Sequence, residues 1–431
     1  MKKLVALVLA LCCAGTVFAQ KEYGLKFSSL INDNLTLENA IRLGLENNSE
    51  FLTAQQEIII AEQKVNEAKF RYLPQFSLQG TATWFDLDYP MVLPDAVANR
   101  FLPGSEYLGG KDQFYGVGIT ATQYIYSGGR INNTLKMARA HLKQVQSRYE
   151  IVKSAAILDI KQSFYGLLYA QEYAKLTNEI ATMADSWYKR PGGNLWQQIQ
   201  IHALLADLKT KQSDAARLLK KAQLAMLVSL NKELNSNITI KGDFSPVHTD
   251  RDLPHLNLWA LEFRPELKSA LYALEADNIA MDLALSKRYP DIILNGSFEQ
   301  LGTDSLDEVN KQISLAVRLP IPYNISEQIA QKKAEQKKSS LRRAAIEDKI
   351  RIQVAENFAD MLFWQEEVLV RQNTYNELKK LLKKADSSPK TGTAPLEALG
   401  AYSAAAQNYL DAVRQNHVSK ARLEWAIGQD L

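Results

Sequence analysis

Asn48–Gly80, NSEFLTAQQEIIIAEQKVNEAKFRYLPQFSLQG, and Arg264–Gly296, RPELKSALYALEADNIAMDLALSKRYPDIILNG, align without a gap at a separation of 216 positions. Glu50 falls on Glu266, Ala68 on Ala284, Pro74 on Pro290 and Gly80 on Gly296. A second block, Ile119–Ala138, aligns with Leu315–Ala334 at 196 positions, so the first copy carries 20 extra residues within Asp86–Asp112. Pro90, Pro94, Pro103 and Gly109-Gly110 make that segment read as a long loop. Matches at fixed offsets with Pro and Gly in register mark two structurally equivalent halves.

Each half follows one pattern. Thr36 is placed to cap a helix starting at Leu37, and an amphipathic helix follows over about Glu50–Arg71. Pro74 ends it, because proline lacks the amide that the helical ladder needs. In the second half Pro290 ends a helix over Pro265–Arg288. Gly129 to about Trp187, and Ser326 to about Ala385, contain no proline and read as helices of roughly 90 Å at about 1.5 Å per residue. Ile131, Leu135, Ala138, Leu142, Val145, Tyr149, Val152 and Ala156 keep a 4-3 spacing, the seam of a coiled coil. The two stretches turn at Arg190-Pro191-Gly192-Gly193 and at Ser387–Pro395, and helices over Leu195–Leu230 and Leu396–Ile427 return as hairpins.

After each helix-ending proline the hydrophobic period changes from 3.6 to 2. Phe76, Leu78 and Trp84 face one way, Ser77, Gln79, Thr81 and Thr83 the other. The partner segment sets Tyr115, Val117 and Ile119 against Thr120 and Thr122. In the second half Ile292, Leu294 and Phe298 oppose Asn295 and Ser297, and Ile313, Leu315 and Val317 oppose Gln312, Ser314 and Arg318. Such strands of about ten residues suit a membrane barrel whose apolar side meets lipid and whose small polar side lines a wet lumen. A soluble sheet with one buried face uses the same alternation. Four strands close no barrel, and open edges are forbidden in lipid, so the barrel reading requires sister chains. Two chains would give a filled eight-stranded barrel, three a twelve-stranded one with a passage. Trp84 and Tyr115 suit an interfacial aromatic girdle.

The N-terminus reads as a cleavable export signal over residues 1–19: Lys2-Lys3, an apolar run, and Val17-Phe18-Ala19 before Gln20. A lipid-modified Cys12 or Cys13 is disfavoured, since bulky Leu11 or Cys12 would precede it. Cleavage removes both cysteines, so no disulfide is expected, and removes two of 51 basic residues against 48 acidic ones. The near-neutral remainder lacks the basic stripe of a nucleic-acid binder. His141, His202, His248, His255 and His417 show no metal-ligand spacing, and no phosphate cradle or nucleophile elbow is present. No cofactor, no metal and no catalysis are expected, and no run beyond the signal is long enough for a membrane helix.

The sequence resembles the TolC-like outer-membrane efflux channels in Leu35–Ala40, Arg71–Gln75, Gln123–Arg130, Arg264–Leu267, Leu319–Pro322 and Gly392–Leu399. The order and duplication of these stretches carry the likeness. The resemblance implies a mainly α chain with membrane β, a homotrimer with a shared 12-stranded barrel, and a long periplasmic tunnel of coiled-coil hairpins. The N-terminal pattern and the self-alignment divide the chain into a signal (1–19), a first repeat (20–230) and a second repeat (263–431), and the resemblance implies an equatorial linker between the repeats (231–262, with a short strand over Ile238–Phe244). It also implies partners: outer-membrane lipid, a periplasmic adaptor docking on the hairpin tips, and an inner-membrane transporter of RND, ABC or MFS type. Arg190, Gly192, Gly193, Gly392, Thr393 and Leu396 are the tip candidates. Family channels close with acidic residues on the helix after the second tip. Glu397 matches the first such position, while Gly400 stands where a second acid is often found. A solvated surface glutamate and plain turn glycines are the simpler readings of these residues. A periplasmic coiled-coil adaptor or scaffold without a barrel is the rival function, and the duplicated period-2 strands speak against it.

Overall fold

The computed structural model describes residues 35–91, 108–187, 195–234, 238–302, 308–321, 323–385 and 392–431. The signal segment and the first tip, with Arg190, Gly192 and Gly193, lie outside the described residues. The elements run α1 (Leu37–Asn47), α2 (Ser49–Phe70), β1 (Gln75–Met91), β2 (Leu108–Tyr126), α3 (Arg130–Trp187), α4 (Leu195–Ser229), α5 (Leu253–Phe263), α6 (Pro265–Ser286), β3 (Asp291–Gly302), β4 (Glu308–Arg318), α7 (Ile325–Ala385) and α8 (Ala394–Ile427). The duplication holds element by element. Helix α5, inside the segment read as linker, stands 216 positions after α1, so the likeness of the halves begins before Arg264. Within the expected belt strand, Ile238–Phe244, only a single parallel bridge forms, between Leu35 and Ile240.

The long helices are complemented in two pieces. α3 has 58 residues, and its return α4 only 35, so α4 covers the tip-side half. The 22 residues of α2 cover the other half. There Val65 and Ala68 pack on Leu135, and Phe51 meets Tyr149 at 5.0 Å between rings. The 4-3 seam read from Ile131 to Ala156 therefore faces a helix from before the strands, not the returning arm of the hairpin. The second half repeats this, with α7 (61 residues) against α6 and then α8.

Where the pieces meet, the chain is locked. Ala40 of α1 packs with Ile160, Phe164 and Leu167 of α3 and with Met226, Leu227 and Leu230 at the end of α4. In the second half Leu256 and Ala260 of α5 pack with Ile350 and Val354 of α7 and with Leu423 and Ile427 of α8. Arg264, between α5 and α6, is 3% exposed. Its guanidinium pairs with Glu266 at 2.9 and 3.0 Å and donates to the last α8 carbonyls, Trp425 (3.3 Å) and Ala426 (3.0 Å). It also donates to Gln353 of α7 at 3.0 Å and lies 4.4 Å from the Trp425 ring centroid. One side chain thus satisfies the orphan carbonyls of α8 and ties three helices, which explains Arg264-Pro265-Glu266. Across the α3–α8 seam, Lys161 reaches Glu424 at 2.7 Å and Asp430 at 3.1 Å. Burial opposes its charge, but these hydrogen bonds and carboxylates outweigh that and raise its pKa.

Replacing Arg264 by Met is expected to lower the urea midpoint of the helical circular-dichroism signal in detergent. The cost is about 3 kcal/mol, the scale of breaking a buried charge pair.

Candidate functional site

The four strands form one antiparallel sheet in the order β1-β2-β3-β4, so the two halves join through β2 and β3. Its register decides what each face carries. Phe76, Ala121, Gly296 and Ile313 lie in one cross-strand row, and Leu78, Ile119, Phe298 and Lys311 in another. On the opposite face Ser77, Thr120, Ser297 and Gln312 form a row, with the Ser77 and Thr120 hydroxyls 2.5 Å apart. Gln75, Thr122, Asn295 and Ser314 form the next. All the residues assigned to the two faces thus separate as the alternation requires. Gln79, Thr81, Thr83 and Arg318 take the polar parity, and Val117, Ile292, Leu294, Leu315 and Val317 the apolar one. Trp84 and Tyr115 meet edge to face on the apolar side, with centroids 6.4 Å apart.

The apolar face is uncovered. Phe76 is 74% and Ile313 84% exposed, and Leu78, Ile119, Leu315 and Val317 are exposed beside them. A contiguous patch of this kind needs a partner or a membrane. Sequence reading missed three polar members of this face. Gln300 shares a row with Val117, and Lys311 lies over the Phe298 ring at 5.8 Å. Gln123 donates to the Tyr72 carbonyl at 3.2 Å and so joins the sheet to the end of α2.

The strands are longer than their hydrophobic pattern. β1 runs to Met91 and β2 begins at Leu108, so both enter the segment read as loop. The ladder continues through Asp86↔Lys111 and Leu87↔Gly110, then shifts register before Met91↔Leu108. Asp86 and Lys111 stand opposite each other beyond the apolar band, and the register shift falls where Pro90, which cannot donate to a ladder, stands.

The strand-to-helix turn is held by two contacts. Gly128 has φ +60°, and a Cβ there would come within 2.6 Å of the Tyr289 Cβ and 2.8 Å of the Ser286 carbonyl. The Arg130 guanidinium reaches both Asp291 oxygens at 2.8 and 2.9 Å, pinning the start of α3 to that of β3.

At the second tip Gly392 has φ +73°, the left-handed conformation glycine favours. The Thr393 carbonyl accepts from Leu396 and Glu397 amides, both at 3.0 Å, to start α8. Glu397 is exposed in the first turn of α8. Leu396 is not available to a docked partner. It is 1% exposed and packs with Leu399 and Tyr402 of α8, Ile180 of α3 and Ile201 of α4, because its apolar side chain completes the cluster joining the hairpins. A Cβ at Gly400 would meet nothing within 4 Å, so packing does not demand glycine there. His417, of the five histidines, is a packing residue. It stacks on Tyr165 at 4.3 Å and on Phe244 at 5.9 Å, and burial lowers its pKa.

Residues 40–190 match the family model described as outer membrane efflux protein. No protein of curated function matches the sequence. Among solved structures, the CmeC outer membrane channel of Campylobacter jejuni aligns at TM-score 0.76 and 15% identity, over 91% of this chain and 85% of that one. The open-state MtrE outer membrane channel of Neisseria gonorrhoeae aligns at 0.75 and 16% identity, over 91% and 89%. The outer membrane protein VceC of Vibrio cholerae aligns at 0.69 and 12% identity, over 91% and 96%. The fold of the described chain is therefore that of TolC-like outer membrane channels.

The register makes a paired forecast. Ile313→Arg, in the apolar band, is expected to cost about 2–4 kcal/mol and to deplete the protein from the membrane fraction. Gln312→Arg, one residue away on the polar face, is expected to leave the membrane-fraction yield within twofold of wild type.

Proposed function

From a chain with the fold of outer membrane efflux channels and a matching family segment, we propose a passive exit duct of a tripartite efflux or type I secretion system. Three copies share a 12-stranded barrel in the outer membrane, and their helices form a tunnel through the periplasm. The observation that carries this reading is the uncovered apolar face of a sheet whose edges, β1 and β4, have no partner strand among the described residues. In water such a face and such edges are liabilities; in lipid, with edges joined between copies, both are satisfied.

The helices support the same assembly. α7 buries Ile350, Val354, Met361 and Val368 against its own chain. Leu341, Ile352, Phe363, Val370 and Leu381 are exposed about half a helical turn away, a second apolar stripe on one helix. On the other flank of the chain α2 exposes Ile60 and α4 exposes Trp196 and Ile199. A second copy fits between these flanks and repeats around a closed ring.

The duct is opened by partners at the tips: an adaptor, and an inner-membrane transporter of RND, ABC or MFS type. Gly392 and Thr393 shape the second tip, and Arg190, Gly192 and Gly193 belong to the first. Three Glu397 copies facing the axis form an acidic constriction that binds cations from the periplasmic side.

Detergent-free recovery in the soluble periplasm, or absence of conductance in planar bilayers, would overturn the duct. Glu397→Ala is expected to weaken block by trivalent cations added at the tip side at least fivefold. Unchanged block removes the gate assignment and leaves the duct standing.

A further inference from the structure

Below the sheet, where α2, α3, α6 and α7 meet the strands, lies a cavity of about 1070 Å³. Gln75 and Tyr124 line it, and both take the polar parity of the sheet: Gln75 pairs with Thr122, and Tyr124 with Ile293. The cavity therefore opens on the face assigned to the lumen. Its charged lining is one-sided, with Arg71, Arg130, Lys287 and Lys332 against Glu67. Arg130 is neutralised by Asp291, and Lys332 by Glu335 at 2.6 Å. Arg71 and Lys287 have no ion pair among the described residues; Lys287 donates only to the neutral Gln328, at 2.9 Å. Arg318, directly across the ladder from Asp291 and on the polar parity, adds a third unpaired cation at the same level.

Arg71 and Lys287 are equivalent positions of the two halves, at the C-caps of α2 and α6. A cation at a helix C-terminus complements the macrodipole, which accounts for two of the three. Arg318 ends a strand and has no such role. The polar-face acids Glu299 and Glu308 lie toward the far end of the sheet, and Glu397 lies at the tip. Of the acids at the junction, Asp291 is taken by Arg130 and Glu335 by Lys332, so Glu67 is the one acid of the cavity lining left against the three cations.

Resting on the duct reading, we propose that Arg71, Lys287 and Arg318 form a cationic ring at the junction of barrel and tunnel, which makes the barrel end of the passage anion-selective, in series with the acidic Glu397 constriction at the tips, and suits it to cargo bearing anionic groups. A narrow, low-dielectric passage focuses the field of charged side chains, and rings of Arg and Lys select anions. Three copies multiply the unpaired cations around one axis, within about a Debye length of the wall.

The test is the reversal potential of the purified full-length protein in planar bilayers under a tenfold potassium chloride gradient. In a Glu397→Ala background, which takes the acidic constriction out of series, the channel is expected to favour chloride. The triple variant Arg71→Gln, Lys287→Gln, Arg318→Gln is expected to lower the chloride-to-potassium permeability ratio at least threefold, while Arg71→Lys with Arg318→Lys retains it. Trimer migration and single-channel conductance of each variant separate a selectivity change from misfolding. A potassium-selective Glu397→Ala channel, or a triple variant with an unchanged ratio, overturns the ring. Absence of any conductance overturns the duct, and the ring with it.

Discussion

The pairing of backbone amides and carbonyls along the sheet constrains everything else in this chain. Four strands satisfy one another through three ladders and leave two edges whose polar groups point outward. One face of the same sheet is apolar and bare. An edge in water recruits other chains, and an edge in lipid goes unsolvated at several kcal/mol per group. Both costs vanish together only when the sheet closes on copies of itself inside a membrane. The duplication makes this economical: two similar halves give a sheet of even strand number whose outer strands run in opposite directions, which lets β1 of one copy pair antiparallel with β4 of the next.

Closure of the sheet sets the width at which the helices must continue. A layer four helices wide extends from the strands, first as α2, α3, α6 and α7, then as α4, α3, α8 and α7. Only α3 and α7 run the whole length. The others are halves that end and restart at mid-height, which is where helix termini, short helices and buried charge collect. The Arg264 fork caps α8 while anchoring α6, and the Lys161 cluster crosses the same level. Gly44, whose Cβ would sit 2.4 Å from Ile160 Cδ1, lets α1 close against α3 there. These devices give a mid-height belt the rigidity that two stacked half-helices lack.

How much of this was legible depends on the range of the interactions involved. Pro74 and Pro290 act locally, through a missing amide, so they marked the helix-to-strand change within a few residues. Strand faces were legible from Phe76 to Val317 because period 2 is a local property that register then inherits. What was hidden depends on who lies opposite. The seam from Ile131 to Ala156 announced a partner but not that it was α2, since 4-3 spacing has no address. Leu396 read as an exposed tip residue because its burial comes from Ile180 and Ile201, some two hundred positions away. Strand ends beyond Trp84 escaped notice because Asp86 and Lys111 continue the ladder without hydrophobic signal. Nothing local to Arg264 signals its work, which depends on carbonyls at Trp425 and Ala426.

On the proposed duct reading, the buried place of Leu396 bears on how the tips open. In each copy Leu396, Leu399 and Tyr402 bind the second hairpin to Ile180 and Ile201 of the first. Behind them Tyr375 stacks on Tyr402 and Tyr409 at 5.6 and 5.3 Å, tying α7 to α8. If opening splays the hairpins of one copy apart, this cluster must come undone. Exposing two leucines and a tyrosine costs on the order of 5 kcal/mol per copy at about 1.5–3 kcal/mol per large side chain. A docked partner must then bind the open form more tightly by at least that amount. If instead both hairpins of a copy swing as one body, the cluster stays intact and the strain falls on the seams between copies. The exposed stripe of α7 is interrupted by the exposed acids Asp348, Glu366 and Glu377. In the proposed duct, keeping this cluster intact weighs toward opening between chains over opening within them.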